Sequence, residues 1–499
     1  MAFWKNPEFI RHVRAELRAP RAITMAALTL VICGLFALSC WGAADHPADF
    51  FRLLHFWLVG IQFTVLGLWC ASACGQAISR EKELKTFDFL RTTRLTAWEL
   101  AIGKILGAPI MAYFVVGCSL PISLAAGLLG GFSLGTLLGV YALLIAFALF
   151  VSLMGLWVSM LMEKSNAGVP VTVAVAPVAI GYSFAASPFS GISAITIFPA
   201  LFALYHVKTE ASSSPPTVFG FPVPYLGLTL ILYAALGAWF VLMLVRNLKR
   251  DREEMRLLSR WQAIGFVAFL NILYYAFLDT KLLVIESNLG GFRPRDAAMI
   301  ALVLNSANLF LVGVALIGSR EKLKVWWRNR VAGQESYLSG DGLVWPWLVF
   351  GALVAYAMLA AEALGVQRAV PLQNWGLEIS GVVLLNILVF IIRDVLFLQW
   401  CTLTRLKRPV VKGFLFLWLY YAAAGIISSV CGLASRTAGS LVMGLLTPWQ
   451  IMGLEDIGLA QAHPSYVGMA LQVAVAVFLV TAITRRLSRP PLVPVPSPA

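Results

Sequence analysis

Charged side chains are scarce in this sequence. Asp, Glu, Lys and Arg make up 12% of the 499 residues, and 60% of the residues are hydrophobic. That charged share is about half of the roughly 25% found in globular proteins. Apolar runs of about 20 residues, each long enough to cross about 30 Å of hydrocarbon, recur along the chain. A soluble enzyme with one large core is therefore excluded, and the composition predicts an all-α, polytopic membrane protein.

Sequence motifs of enzymes are also absent. The chain has no G-x-x-x-x-G-K-[ST] phosphate loop and no H-E-x-x-H, and its five histidines are scattered. No segment between the apolar runs on the side of the N-terminus exceeds about thirty residues, which is far below the size of an ordinary domain. We therefore expect no catalytic residue, no metal site and no directly bound cofactor. If ATP drives this protein, a separate chain must hydrolyse it.

The net charge of +14 does not predict a nucleic-acid partner. Lys and Arg cluster at alternate ends of the apolar runs, as the positive-inside rule describes. Twelve membrane-spanning helices are predicted at residues 22–44, 55–78, 103–130, 133–162, 166–186, 222–246, 262–280, 297–318, 343–365, 377–400, 413–435 and 465–486. With twelve spans every basic cluster falls on the side of the N-terminus. We therefore predict that both termini are cytoplasmic.

The spans form two sets of six that resemble a tandem repeat. REKELK begins at Arg80 and REKLK at Arg320, an offset of 240, and the basic ends of spans six and twelve, Arg246 and Arg485, are offset by 239. An even number of spans in each half makes the two repeats parallel. The predicted organisation is a first six-span unit at 1–250, a second at 251–488 and a Pro-rich tail at 489–499.

Short amphipathic or broken segments accompany the spans. In the first twenty residues Phe9, Ile10, Val13 and Leu17 recur at helical spacing between basic residues, which predicts an interfacial helix. Two broken apolar segments, Ile192–Tyr205 and Leu441–Leu459, follow spans five and eleven. They fit re-entrant or interfacial helices on the outer side, or plain surface loops.

Charge within the spans is rare. Arg393 and Asp394 are adjacent and are predicted near the cytoplasmic end of span ten, where they can pair or reach the interface. Neutral polar residues inside spans more often join helices than bind a ligand. The candidates for a pathway lining are Asn305, Ser306 and Asn308, which share one span.

The most distinctive feature is the charged segment 80–104, which lies between spans two and three. Residues Glu81–Thr93 are predicted to form a short helix with Phe87, Leu90 and Leu84 on one face. Apolar side chains on an exposed loop need a partner or the lipid surface. Trp98 is placed for the interface, and Gly103 and Gly107 permit close helix packing. An ordinary connecting loop lying on the headgroups is the alternative.

Segment 80–104 resembles the loop after the second span of ABC-2-type transporter permeases. It reads EKELKTFDFLRTTRLTAWELAIGK from Glu81, and the family pattern is roughly E-x-E-x-G-T-x-x-x-L-x-x-T-P-x-x-x-x-E-x-x-x-G-K. Lys85 replaces the usual Gly, and Arg94 replaces the usual Pro. Asn6-Pro7 in the N-terminal amphipathic stretch is also similar to the start of the family's elbow helix. The residues to which the resemblance assigns coupling to an ATPase are Glu81, Glu83, Thr86, Phe87, Leu90, Thr93, Trp98, Glu99, Gly103 and Lys104.

The resemblance implies a permease subunit of an ATP-driven ABC transporter, with the two six-span units fused in one chain. It implies export, a separate ABC ATP-binding subunit in two copies, a surrounding of membrane lipids and a place in the bacterial inner membrane. In the second unit Arg320–Lys324 is followed by Trp326 and Trp327, and the rest of the family pattern is missing. We therefore expect this second loop to dock an ATPase differently or weakly.

Two alternatives belong to other classes. A 6+6 secondary, ion-coupled transporter would share the span count and parallel repeats. The chain, however, lacks the G-x-x-x-D-R-x-G-R-R loop of that class and has little charge at the midplane. A membrane-embedded lipid enzyme would need a polar catalytic cluster at one interface, and the sequence shows none.

Overall fold

The structure is a computed structural model that describes residues 5–44, 46–162, 190–206, 216–219, 221–250, 258–277, 294–336, 338, 342–369, 381–404, 409–448 and 466–488. These residues are almost entirely helical, apart from a two-residue antiparallel pairing of Thr217–Val218 with Phe221–Pro222. Among them, eight helices are long and apolar enough to cross a membrane, and a bent pair makes up to nine. The predicted all-α, polytopic membrane fold is confirmed.

The chain divides into two compact units. The first unit contains Met1–Met255 and Ala276–Leu282, and the second contains Arg256–Tyr275 and Leu283–Ala499. Helices of the first unit are α1 (Pro7–Glu16), α2 (Ala19–Ala43), α3 (Pro47–Glu83), α4 (Phe87–Thr92), α5 (Ala97–Gly107), α6 (Ile110–Leu129), α7 (Leu134–Leu161), α8 (Phe198–Leu204) and α9 (Tyr225–Asn247). The repeat relation between the units stays a prediction.

The second unit is also helical. Its helices are α10 (Arg260–Phe277), α11 (Pro294–Ala315), α12 (Arg320–Val331), α13 (Trp345–Ala369), α14 (Gly381–Thr402), α15 (Pro409–Ala434), α16 (Arg436–Leu446) and α17 (Tyr466–Leu487). Helices therefore lie at eleven of the twelve predicted spans, and span five at 166–186 lies outside the described residues. Only eight or nine helices among the described residues are long and apolar enough to cross a membrane, so the number twelve stays a prediction.

Helix α3 is central to the first unit and carries the start of segment 80–104. Its 37 residues extend for about 55 Å, more than the hydrocarbon requires. Its packing against α7 is close, because a Cβ added to Gly155 would lie 3.2 Å from the backbone nitrogen of Gly75. The Ser159 hydroxyl also accepts the N–H groups of Ile78 and Ser79, each at 3.0 Å. The last turns of α3 are thus fixed to α7.

The described parts of the two predicted outer segments are helical. Helix α8 lies within Ile192–Tyr205, the end of α16 covers Leu441–Leu446, and residues 449–459 lie outside the described residues. In the first unit Tyr233 donates to the carbonyl of Ile195 at 3.0 Å, and the ring of His55 lies 2.8 Å from the Tyr205 hydroxyl. In the second unit the carbonyls at the end of α16 accept from Tyr420 and Gln472. Helices anchored to the neighbouring spans favour the first alternative for the described parts, and the position of both segments on the outer side stays a prediction.

The charged pair of α14 is followed by two more turns of the helix. Arg393 is 12 residues after Gly381 and 9 before Thr402, so the pair occupies the middle of the helix. Both side chains are buried, and they form an ion pair of 2.6 Å. The two residues pair with each other, as predicted, whereas their position relative to the membrane stays a prediction, because residues 370–380 before α14 lie outside the described residues.

Candidate coupling site

Segment 80–104 begins with a sharp turn at the end of α3. The N–H of Thr86 donates to Glu81 O at 2.9 Å, and that of Lys85 donates to Lys82 O at 3.1 Å. These two bonds are those of a Schellman motif, in which the residue after the helix cap adopts a left-handed conformation. Lys85 occupies that position with φ = 56°. The single helix predicted over Glu81–Thr93 is therefore divided at this turn, and the Gly of the family pattern matches the position that needs it.

We predict that Lys85→Gly stabilises the first unit. A left-handed backbone conformation strains a non-glycine residue by about 1 kcal/mol, and glycine adopts it without this strain. The variant should therefore raise the free energy of unfolding by up to about 1 kcal/mol, measured as a higher melting temperature in detergent. Lys85→Ala removes the same charge without relieving the strain and should bring no such gain.

The six residues of α4 show two different faces. Phe87 and Leu90 are buried, with 4% and 8% exposure, and Phe87 packs in a cluster with Ile78, Leu100 and Leu244. Phe89 and Leu84 are 74% and 65% exposed. The expectation that Phe87 and Leu90 form the exposed face is wrong, because both are buried and Phe87 packs against α3, α5 and α9. The apolar surface that α4 offers to a partner is Phe89, with Leu84 beside it in sequence.

The far end of α4 is fixed to the end of α9. The Thr93 hydroxyl donates to Leu90 O at 2.7 Å, and the ammonium of Lys249 donates to Thr93 O at 3.0 Å. Thr86, at the other end, donates its hydroxyl to Glu81 O at 3.3 Å. Glu83 is exposed in the last turn of α3. Motion of α4 is therefore coupled to the ends of two spans, α3 and α9.

Helix α5 begins with a capping box. The Thr96 hydroxyl accepts from the N–H of Glu99 at 3.2 Å, and the Glu99 carboxylate accepts from the N–H of Thr96 at 2.9 Å. These bonds lower the pKa of Glu99 below its usual value. The amide of Asn6 donates to Glu99 O at 2.6 Å, which joins α5 to the start of α1. Trp98, in the first turn, is 53% exposed.

Helix α1 packs against α5 at Gly103 and Gly107, the two glycines predicted to allow close helix packing. A Cβ on Gly103 would lie 2.7 Å from the Cβ of Glu8, and one on Gly107 would lie 2.9 Å from the Cβ of His12. Helix α1 thus crosses α5 along these two positions. Close packing at Gly103 and Gly107 is confirmed, and the N-terminal amphipathic helix is what they accommodate.

Lys104 is the centre of a buried charge cluster that joins α1, α3 and α5. Its ammonium is fully buried and lies 2.7 Å from both carboxylate oxygens of Glu81 and 3.0 Å from Glu8. Arg11 bridges the same two carboxylates, at 2.7 Å from Glu8 and 2.8 Å from Glu81. Two cations and two carboxylates therefore balance. Glu81 and Lys104, the first and last residues that match the pattern given above, meet at the base of the segment.

Burial alone would raise the pKa of the Glu8 carboxyl. The contact with His12 and the charges of Lys104 and Arg11 outweigh burial and lower this pKa to about 2. A carboxyl whose pKa is lower in the folded state stabilises the protein above its unfolded pKa, near 4.5, and that contribution is lost as the pH falls toward 2.

We therefore predict a pH-dependent effect of Glu8→Gln. At pH 7 the variant should lower the free energy of unfolding by about 2 kcal/mol, because a buried cation loses a charged hydrogen-bond partner. The difference between variant and wild type should shrink from about pH 4.5 toward pH 2. Melting curves of both proteins in detergent measure it. A difference that stays constant down to pH 3 would contradict the assignment.

The three predicted pathway residues differ in their hydrogen bonds. Asn305 and Asn271 exchange reciprocal amide hydrogen bonds of 2.8 and 2.9 Å, which joins α11 to α10. Ser306 donates to Leu302 O within its own helix. Asn308 is 8% exposed, and its Nδ2 has no hydrogen-bond partner among the described residues. The lining of a pathway by these three residues stays a prediction.

The loop of the second unit is built differently. Helix α12 buries Leu323 and Trp326, and the indole N–H of Trp326 donates to Ser336 O at 3.2 Å. Gly342 leaves room for that ring, because a Cβ there would lie 2.7 Å from it. The predicted difference between the two loops is thus visible in their packing: α4 exposes an aromatic ring, whereas α12 places its large ring inside the protein.

Sequence reasoning missed five contributors to the site, namely Asn6, Glu8, Arg11, Phe89 and Lys249. Glu8 and Arg11 lie on the polar face of α1, which was interpreted only as an interfacial surface. A signal existed in the basic and acidic residues of that face, which could match the charges at both ends of segment 80–104. Lys249 lies in a basic cluster that was interpreted only through the positive-inside rule, so no specific contact was predicted for it.

Comparison with known families agrees with this geometry. The fold is that of an all-helical, multi-pass membrane protein, and residues 9–177, about a third of the chain, match the model of the family described as ABC-2 type transporter. The matched range begins inside α1, after Glu8, and includes all of segment 80–104 and helices α2 to α7. This match supports an ABC-2 type permease, which is a transport component and not itself a catalyst. No curated protein and no solved structure matches the chain.

Proposed function

We propose that this protein is the membrane permease subunit of an ATP-driven ABC exporter, coupled to a separate ATPase through segment 80–104. The observation that supports the proposal is the way in which α4 is held against the spans. The helix exposes Phe89, while its base is held by the buried cluster of Lys104, Glu81, Glu8 and Arg11. A displacement of α4 by a partner would thus be transmitted to α1, α3 and α5 together.

The proposal includes the finer predictions from the sequence. The two units act as fused six-span halves, both termini face the cytoplasm of a bacterial inner membrane, and two ABC ATP-binding subunits bind the protein. The positions of the basic clusters support this orientation. ATP is used by the partner, because the chain itself has no phosphate loop.

The ion-coupled alternative receives no support from the charged pair of α14. All five N–H donors of Arg393 are used, by Asp394, Tyr420, Tyr421 and Gln472. An ion-coupling site needs a group that exchanges its partner during transport. A saturated pair fits a structural role better.

Co-purification tests the proposed function. The protein is expressed with a phosphate-loop ATPase encoded beside it and isolated through a tag on the ATPase. We expect a stable complex whose ATP hydrolysis responds to cargo candidates in proteoliposomes. An ATPase that neither binds the protein nor changes its hydrolysis in its presence would overturn the proposal.

A further inference from the structure

Helix α12 lies nearly perpendicular to the span before it. The axis of Arg320–Val331 is bent by 80° from that of Ile300–Ala315. Five of its twelve residues are basic, namely Arg320, Lys322, Lys324, Arg328 and Arg330, and Glu321 is its one acidic residue. Such a charge density excludes a position inside hydrocarbon. If α11 crosses the membrane, α12 runs along the membrane surface.

The buried face of α12 rests on the ends of two spans. Leu323 and Trp326 pack in a cluster with Leu396 of α14 and Ile483 of α17. The half-buried rings of Trp327 and Trp400 adjoin the same cluster. Tryptophan is enriched where membrane spans meet the headgroups. The packing therefore places α12 at headgroup level.

Four cations lie next in sequence to residues of this cluster or of its helical turns, and we define them as the basic patch: Lys324 and Arg328 on α12, and Arg485 and Arg486 in the last turn of α17. Arg328 and Arg485 are exposed. The guanidinium of Arg486 lies over the ring of Trp400, at 4.5 Å. Lys324 faces one carboxylate, that of Glu321, at 3.9 Å, and 36% of the lysine side chain stays exposed.

The basic patch differs from the surface of α4. The exposed apolar residues of α12 are Val325 and Val331, and neither is aromatic. Segment 80–104 instead exposes Phe89 beside Asp88 and Lys85, a mixture of apolar, acidic and basic groups. A protein interface is typically anchored by large rings, whereas concentrated cations at headgroup level suit phosphate.

We propose that the basic patch binds the headgroups of anionic phospholipids in the cytoplasmic leaflet. Helix α12 is then held at the membrane surface by these lipids and is not a second ATPase-docking helix. Charge complementarity selects this occupant, because every member of the patch is a cation and the neighbouring surface at this level is lipid. The inference does not depend on the ATPase, since it concerns the second unit and its surrounding bilayer.

Lipid-specific fluorescence quenching tests it. The V325C variant is labelled with bimane and placed in nanodiscs of phosphatidylglycerol and phosphatidylcholine. One lipid at a time carries a nitroxide near the glycerol backbone. The native cysteines are buried or half-buried, and the unsubstituted chain is the labelling blank. We expect about tenfold stronger apparent binding of the phosphatidylglycerol probe, which falls as NaCl is raised to about 0.5 M.

Charge variants define the patch. K324Q/R328Q should abolish the preference for phosphatidylglycerol, whereas K324R/R328K should keep it. The matched variant K85Q/R94Q removes the same charge from segment 80–104 and should leave quenching at V325C unchanged. Equal quenching by both lipids in labelled V325C without charge substitutions would overturn the proposal. Displacement of the lipid probe by the purified ATPase would also overturn it.

Discussion

Phe89→Asp should prevent the ATPase from binding while leaving the first unit folded. Phe89 is 74% exposed, so replacing it removes little packing within the protein, and surface changes of this kind usually alter the free energy of unfolding by less than about 0.5 kcal/mol. An aromatic anchor at a protein interface contributes about 2 kcal/mol or more. We therefore expect at least a roughly 30-fold rise in the dissociation constant, measured by titrating the ATPase onto the protein in nanodiscs.

The matched control is Phe221→Asp. Phe221 is 73% exposed, nearly as much as Phe89, but it lies between predicted spans five and six, which the predicted topology puts on the side opposite the proposed ATPase. Its substitution should leave ATPase binding unchanged. Equal loss of binding in both variants, with intact melting curves, would contradict docking through α4.

A second comparison separates docking from stability. Phe87→Asp places a charge in the buried cluster with Ile78, Leu100 and Leu244, and an unpaired charge there is costly. That variant should lower the melting temperature of the first unit, whereas Phe89→Asp should not. Binding lost through Phe87 alone, without loss of stability, would show that the exposed face of α4 is wrongly assigned.

The sequence predicted the spans of the fold well because hydropathy depends on local composition. Eleven predicted spans coincide with helices, and the family pattern identified Glu81 and Lys104. Their partner Glu8 was not predicted, since it is distant in sequence and pairs only after α1 folds onto α5. The orientation of α4 was also missed. Phe87, Phe89 and Leu90 are all apolar, so six residues provide no periodicity that separates the buried side from the exposed one.

The partners of Arg393 and Asp394 show the same limit. Hydropathy gives the extent of a span to within a few residues, but it does not give the role of a charged pair inside the span. What decides its role is the set of partners on other helices. Tyr420 and Tyr421 on α15 and Gln472 on α17 lie 26 residues or more further along the chain, and no local pattern connects them to α14.

We define the Arg393 cluster as Arg393, Asp394, Tyr420, Tyr421 and Gln472. The two Asp394 oxygens accept from Arg393 and from Tyr421. Tyr420 and Gln472 accept from Arg393 and donate onward, to Leu446 O at 2.7 Å and Leu445 O at 2.8 Å. The cluster therefore joins α14, α15 and α17 to the last turn of α16.

Asp394→Asn should destabilise the second unit by about 3 kcal/mol or more, because it leaves the guanidinium of Arg393 buried without its counter-charge. The surface pair Asp88–Arg91, in which 82% of the Asp88 side chain is exposed, provides the control. Asp88→Asn should change the free energy of unfolding by less than about 1 kcal/mol. Thermal unfolding in detergent compares the two variants directly.

The double variant R393M/D394L tests whether an uncompensated charge is the cause. Removing both charges together costs far less than removing one partner, so the double variant should regain most of the stability lost in D394N. Limited proteolysis should also show faster cleavage of α16 in D394N, since the carbonyls of Leu445 and Leu446 depend on the Arg393 cluster. Transport that survives in R393M/D394L would agree with a structural role, and selective loss of transport in a stable double variant would instead assign the pair to ion coupling.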